Sequence, residues 1–362
     1  MPDAFGRRRV AIVLPSFTGG GAERVLLTLA AAIDPAKFAS EVVVVDGTGP
    51  WRSLIPERIP VTDLGRKRIR SALLPLAGAL RRSGADVAIS TIGSLNIALL
   101  ALKPLLPASL RLVVREANTP HRHARSAAGR GFYRWAYRRL YRRAARVVAP
   151  ATYLAEELAE DFGVARDKII VLHNPIDSAA LAAAAAKPVR AAGAGPRFVA
   201  VGRLTPQKGF DRLLEMLAAG PSDAHLTILG EGAERSALEA RRQALQLANR
   251  VAMPGFQVDA PRYVAGADAL LLSSRWEGLP NVALEALALG TPVIATPDAG
   301  GIGEIADLAS AGSVTLASAG QDFVSAMRNV QPTPGRAKSS LLPETFRLPV
   351  AAKRFEHLIT VV

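Results

Sequence analysis

The sequence predicts an α/β protein of two doubly wound domains facing each other across a cleft. Three observations carry this. Short apolar runs rich in Val and Ile alternate with helix-spaced segments along most of the chain. The runs are continuously apolar, as strands buried on both faces of a parallel sheet must be. The alternation stops at an Ala-, Gly- and Pro-rich stretch between residues 178 and 196, then restarts.

In order, VAIVLP (10–15) reads as a strand and ERVLLTLAAAI (23–33) as a helix. EVVVVD (41–46) is a strand, LLPLAGALRRS (73–83) a helix, and DVAIST (86–91) and LRLVVRE (110–116) are strands. A basic helical run precedes the strand ARVVAP (145–150), and TYLAEELAEDFG (152–163) is a helix stopped by Gly163. KIIVLHNPID (168–177) closes the first half. In the second half, RFVAVG (197–202), HLTILG (225–230), RVAMPG (250–255), DALLLSS (268–274) and PVIAT (292–296) are strands. FDRLLEMLAAG (210–220), AERSALEARRQALQL (233–247) and NVALEALALG (281–290) are helices. The expected domains are 1–178 and 197–343, with a linker at 179–196 and a final helix at 344–362 crossing back to the first domain.

A chain of 362 residues exceeds a typical single core. Its 49% hydrophobic and 21% charged residues describe a packed globular protein. With no cysteine, disulfides and thiolate metal sites are excluded and a reducing compartment fits. The apolar run starting at Val10 is too short for a signal peptide and is followed by glycines. The apolar stretch 95–107 is interrupted by Lys103 and Pro104, short of a membrane span. The expectation is a protein that is soluble or lies on a surface. A net charge of +14 favours anionic partners.

Two stretches carry chemistry. GRLTPQKGF (202–210) joins a strand to a helix and holds Arg203 and Lys208. A loop of this kind suits phosphate, with Arg clamping two oxygens and Lys acting as a point charge. The bland alternative is a pair of solvated cations. In WEGLPNVALEALALG (276–290), Pro280 suits a helix start and Gly290 its end. The amides around Gly278, Leu279, Asn281 and Val282 would then be open to an anion or to sugar hydroxyls. Glu285, one turn into an apolar helix, needs partners, and vicinal ribose hydroxyls would serve. Glu277 would hold hydroxyls of a second sugar. The alternatives are a dipole-favouring Glu277 and a structural Glu285. Together the pieces describe a pocket for a diphosphate joined to two sugars. No D-x-D pair occurs, so no metal and no cofactor are expected; Arg203, Lys208 and the helix start would neutralise the diphosphate.

At these residues the chain resembles the family 4 retaining glycosyltransferases of the GT-B fold, two Rossmann-like domains. The likeness runs through GGGAERVLLTLA (19–30), VLHNPID (171–177), VGRLTPQKGFDRLLEMLA (201–218), LTILGEGAERSALE (226–239) and WEGLPNVALEALALGTPVIAT (276–296). It implies that Arg203 and Lys208 hold the donor pyrophosphate, Glu285 the ribose and Glu277 the transferred sugar. Gly20 and Gly21 would close on the phosphates, leaving Glu23 to cap a helix. The family retains anomeric configuration without a metal, by a front-face reaction in which the leaving phosphate helps take the acceptor proton. REANTP (115–120) is similar to the S-E-[HR]-N-x-P segment of bacterial enzymes building surface polysaccharides and lipid-linked oligosaccharides, with Ala117 in place of the basic residue. By that likeness Arg115, Glu116 and Asn118 line the acceptor side; His121 and His123, close by, could stand in for the missing basic residue, the alternative being exposed loop histidines. DLASAGSVTLASAG (307–320) departs from the family's glycine-rich stretch.

RGFYRWAYRRLYRRAARVV (130–148) puts Arg130, Arg134, Arg138, Arg142 and Arg146 at four-residue spacing, with Arg139 alongside; Phe132, Ala136, Leu140 and Ala144 form another face, part of which must pack, with Tyr133, Tyr137 and Tyr141 beside it. Such a helix suits an anionic membrane surface or the pyrophosphate of a lipid-linked acceptor. A solvated basic face is the bland reading. Nucleic acid is set aside, because no recognition motif accompanies the aromatics. The expectation is therefore a transferase moving a sugar from a nucleotide diphosphate, of UDP type, to a lipid-linked saccharide. It would work in the cytoplasm, peripheral on the inner face of the cell membrane. A catalytically silent binder of nucleotide sugars or polyanions is the alternative.

Overall fold

The computed structural model describes residues 6–18, 20–118, 127–190, 193–332 and 338–362, with backbone alone at 127–130. The chain divides into two compact units, Met1–Pro175 with Leu348–Val362, and Ile176–Arg347.

The first unit runs β1 (Arg8–Ser16), α1 (Gly21–Ala32), β2 (Phe38–Asp46), β3 (Val61–Asp63), α2 (Ile69–Ser83), β4 (Val87–Thr91), α3 (Gly93–Ala101), β5 (Arg111–Arg115), α4 (Ala127–Leu140), β6 (Arg146–Ala149), α5 (Thr152–Glu160) and β7 (Ile169–Val171). Its seven strands lie in the order β3-β2-β1-β4-β5-β6-β7, all paired in parallel. Central β1 sits between β2 and β4, with Ile12 opposite Val42 and Ile89. Buried on both faces, β1 is apolar throughout its centre, so no alternation shows in its sequence.

The second unit runs α6 (Ser178–Ala184), β8 (Arg197–Val201), α7 (Phe210–Ala218), β9 (His225–Leu229), α8 (Arg235–Ala244), β10 (Val251–Gly255), α9 (Ala260–Gly266), β11 (Ala269–Leu272), α10 (Asn281–Ala288), β12 (Val293–Ala295), α11 (Ile302–Leu308), β13 (Val314–Leu316) and α12 (Gln321–Arg328). Its sheet order is β10-β9-β8-β11-β12-β13, again parallel. In this sheet the chain reverses direction between β8 and β11, and in the first it does so between β1 and β4. Connections leave the two strands at such a point toward opposite faces, which opens a crevice at their carboxyl ends.

The last helix, α13 (Leu348–Val361), returns to the first unit. Phe355, Leu358 and Ile359 join α1 and the strands in one apolar cluster. Glu356 accepts from Asp34 N at 2.8 Å, and Arg8 donates to the carbonyl of Val362 at 2.7 Å.

Two expectations need correction. The 179–196 linker begins as helix: Asp177 caps α6 by accepting from Ala180 N, and alanine is the strongest helix former. The segment packs on α9, where Val189 N donates to Arg262 O and Arg262 Nε to Lys187 O. The basic helix ends at Leu140 rather than carrying Arg142 and Arg146 as well. Arg142 sits in a 3-10 turn and Arg146 opens β6, because Ala145 N is taken by Leu112 O and the strand begins. The apolar run at 95–107 is largely α3, packed on the sheet. No helix among the described residues is long and apolar enough to cross a membrane.

Replacing Phe355, 1% exposed, with Ala should cost about 3–5 kcal/mol. Denaturant unfolding, read by a probe in the first unit, checks this; a change under about 1 kcal/mol would mean that α13 is not part of that core.

Candidate active site

In the second unit, the loops leaving β8 and β11 are stitched together beside the switch point. After β8 the chain turns at Gly202, makes a 3-10 turn at Pro206–Lys208, and enters α7 through Gly209 in the left-handed region (φ 63°). Only glycine fits there: a Cβ on Gly209 would lie 2.1 Å from Ser273 O. At Gly202 a Cβ would lie 3.0–3.2 Å from the Lys208 stem, which crosses directly over it.

Bonds between the loops follow from this approach. Arg275 N donates to Gln207 O at 2.7 Å and Ser273 Oγ to Lys208 O at 3.0 Å. Arg212, on α7, donates to the carbonyls of Ser273 and Ser274, to Thr296 Oγ1, and to Asp298 at 2.9 Å. Arg275 grips Asp211 through both guanidinium nitrogens, at 2.8 and 2.6 Å, and these bonds hold the Asp211 carboxyl below its ordinary range.

Inside this frame, Lys208 Nζ lies 2.6 Å from Glu277 Oε1. Ser274 Oγ donates to the same oxygen at 2.7 Å, and Gln207 Nε2 lies 3.4 Å from Oε2. Glu277 is 7% exposed, yet the pair is not sealed, for both side chains keep some contact with water. Gly278, Leu279 and Pro280, all buried, lead into α10. Gly301 N donates to Gly278 O, while Ala283 N and Leu284 N both turn back to Pro280 O. Half-buried Asn281 and Val282 form the helix start, and half-buried Glu285 lies one turn further. Arg203 is exposed on the β8–α7 loop. So Lys208 and Glu277 meet, Arg203 shares the loop with Lys208, and Glu285 shares α10 with the amides that follow Pro280. Ser274 and Gln207 were not singled out from the sequence. Among the described residues, no three His, Asp or Glu side chains gather as a metal site.

In the first unit, Gly20 is the N-cap of α1 and Gly21 its first residue. A Cβ on Gly20 would touch nothing within 4 Å, so packing does not demand glycine there. Glu23 is buried in the first turn of α1, and its charge acts on Arg115 rather than serving only a helix end.

Arg115 and Glu116, expected to line an acceptor site, are instead 2% and 0% exposed. Asn96 Nδ2 donates to Glu116 Oε1 at 2.8 Å, Tyr141 donates to the same oxygen, and Arg115 reaches Thr91 and Asn174. Burial lowers the Arg115 pKa to about 10, partly offset by Glu116 and Glu23. Burial, then the Glu116 charge, pushes the phenols of Tyr137 and Tyr141 well up. These two rings stack at 4.2 Å, so the tyrosines expected at a surface belong to the core. Asn118 is half-buried, and His121 and His123 lie outside the described residues. The exposed aromatics of α4 are Phe132 and Trp135. Gly131, Arg134, Trp135, Arg138, Arg139 and Arg142 line a shallow groove of about 350 Å³.

Tyr141→Phe should therefore cost about 1–3 kcal/mol by leaving a buried carboxylate short of a donor. Trp135→Ala, on the surface, should cost within about 0.5 kcal/mol. Urea unfolding of both variants checks the contrast; equal costs would contradict it.

Comparison with known proteins bears on the family and the fold. Residues 185–332 match the family model "Glycosyl transferases group 1", and residues 19–180 match "Glycosyltransferase Family 4". The lipopolysaccharide core biosynthesis glycosyltransferase LpsE of Rhizobium meliloti is 38% identical over 105 residues, 29% of this chain and 31% of that protein. The N-acetylgalactosamine-N,N'-diacetylbacillosaminyl-diphospho-undecaprenol 4-alpha-N-acetylgalactosaminyltransferase of Campylobacter jejuni is 30% identical over 151 residues, 41% of this chain and 40% of that protein. These matches span less than half the length of either curated relative. The crystal structure of Anabaena HepE in complex with UDP superposes with a TM-score of 0.76 at 18% identity, covering 98% of this chain and 100% of that one. With its two halves matched in turn and its fold shared end to end, the chain belongs to the family 4 glycosyltransferases of GT-B type.

Proposed function

We propose that the protein is a retaining glycosyltransferase that moves a sugar from a UDP-linked donor to a lipid-linked saccharide. The observation that carries this reading is the Lys208–Glu277 pair at the carboxyl edge of β8 and β11. It sets a cation and a carboxylate side by side, as the junction of a diphosphate and a sugar would require. Lys208 and Arg203 would neutralise the departing diphosphate, and Glu285 would accept from the ribose hydroxyls. Glu277, with the amides after Gly278, would hold the transferred sugar. No metal and no cofactor are needed where two cations and a helix start carry the negative charge. HepE, with the same fold, was crystallised with UDP, and the Campylobacter relative is named for an undecaprenol-linked acceptor. Both support the substrate classes proposed.

The exposed arginines, Phe132 and Trp135 on and beside α4 suit an anionic membrane surface, where a lipid-linked acceptor would be met. On this reading the protein would work on the inner face of the cell membrane.

The test is transfer. Incubated with radiolabelled UDP-sugars and a bacterial membrane lipid extract, the protein should move label into the lipid phase, with α-anomers retained. Donor binding without transfer to any lipid fraction would favour a catalytically silent binder. Glu285→Ala should weaken UDP binding about tenfold or more, with an unchanged melting temperature. Unchanged affinity would remove Glu285 from the ribose. Replacing Arg134, Arg138 and Arg142 with Gln removes about 1 kcal/mol per charge near an anionic surface. Sedimentation with phosphatidylglycerol vesicles should fall at least about a hundredfold in affinity, while binding to phosphatidylcholine stays the same. Equal binding of the parent to both vesicles would refute the membrane role.

A further inference from the structure

Lys208, Ser274 and Gln207 are among the side chains that hold the Glu277 carboxylate, and the donor reading uses only Lys208. The other two are Ser274, on Oε1, and Gln207, on Oε2. Ser274 is 1% exposed, and its backbone is fixed, because its carbonyl accepts from both Arg212 Nη2 and Thr296 Oγ1. Gln207 is fixed as well, since its amide donates at 3.0 Å to Trp276 O.

We propose that Ser274 and Gln207 are positioning residues that aim Glu277 at the sugar, and so govern recognition of the sugar half of the donor. The inference rests on reading Glu277 as the sugar-facing carboxylate. An ammonium is a point charge with rotatable donors, so Lys208 alone would let the carboxylate pivot about its contact. A hydroxyl on one oxygen and an amide near the other fix the plane of the group. A carboxylate offers about four lone-pair sites. With that plane fixed, a sugar hydroxyl that donates to the carboxylate meets it in a set direction.

A purely structural role is separable from this one. The two loops are joined independently by Ser273 to Lys208 O, by Arg275 N to Gln207 O, and by Arg212. None of these bonds uses the Ser274 hydroxyl or the Gln207 amide. Removing either should leave the loops in place, and Lys208 with them, while the carboxylate loses its aim.

The experiment compares dissociation constants of sugar donors and their own diphosphates: UDP-glucose and UDP-N-acetylglucosamine against UDP, and GDP-mannose against GDP. The proteins are the parent, Ser274→Ala and Gln207→Met. The donor that binds the parent should bind Ser274→Ala about tenfold more weakly, as for loss of one hydrogen bond to a charged group, with its diphosphate unchanged. Gln207→Met should move in the same direction by a smaller factor. It decides alone if Ser274→Ala does not fold. Sugar donor and diphosphate weakened together, or neither weakened, overturns the positioning role and leaves the donor site standing. A parent that binds none of these nucleotides overturns the donor reading, and this inference with it.

Discussion

A carboxylate and an ammonium 2.6 Å apart, both largely withdrawn from water, are the interaction on which the proposed donor site depends. Desolvating two charges costs several kcal/mol, and their attraction does not reliably return it. An apolar pair of the same volume would serve stability as well. Lys208 and Glu277 therefore make sense as groups kept ready for a charged, hydroxyl-bearing ligand. The surrounding hydrogen bonds keep the cost tolerable, since each carboxylate oxygen has a protein donor.

The fold produces this pair through topology. Lys208 and Glu277 are far apart in sequence, and they meet because β8 and β11 are neighbours in a parallel sheet. Parallel strands send their carboxyl ends to one edge, so the loops carrying the two residues leave side by side. Gly209 lets them touch, because its missing Cβ is replaced by the Ser273 carbonyl. Arg212 and the Arg275–Asp211 pair then lock the touching loops. In the first unit the same edge of the sheet carries buried Arg115 and Glu116, whose partners tie β4, β5 and the end of α4 into one network. That network holds the inner face of α4 in the core and leaves its arginines outside.

The alternating strands and helices were readable from the sequence because each buried strand is an unbroken apolar run and most helices carry a polar face. The bounds of α10 were readable from Pro280 and Gly290, one suited to a helix start and the other to its stop. Other features were not readable, for physical reasons. Ser274 and Gln207 are ordinary loop residues until strand pairing brings them to Glu277. Arg115 and Glu116 looked exposed because charged residues usually are, and only a satisfied network permits their burial. The four-residue arginine rhythm continues past Leu140, yet strand pairing at Ala145 overrides it. α6 looked like a linker because alanine supplies helix propensity without the large apolar residues that mark a packed face.

The most direct measurement is calorimetric titration of UDP into the parent protein and into Lys208→Ala, each with and without a chelator. The account predicts one saturable site in the parent, unaffected by the chelator, and loss of binding by more than about tenfold in the variant. Absence of saturable binding in the parent, or equal affinity in Lys208→Ala, would contradict the claim that the Lys208–Glu277 pair marks a diphosphate-sugar site.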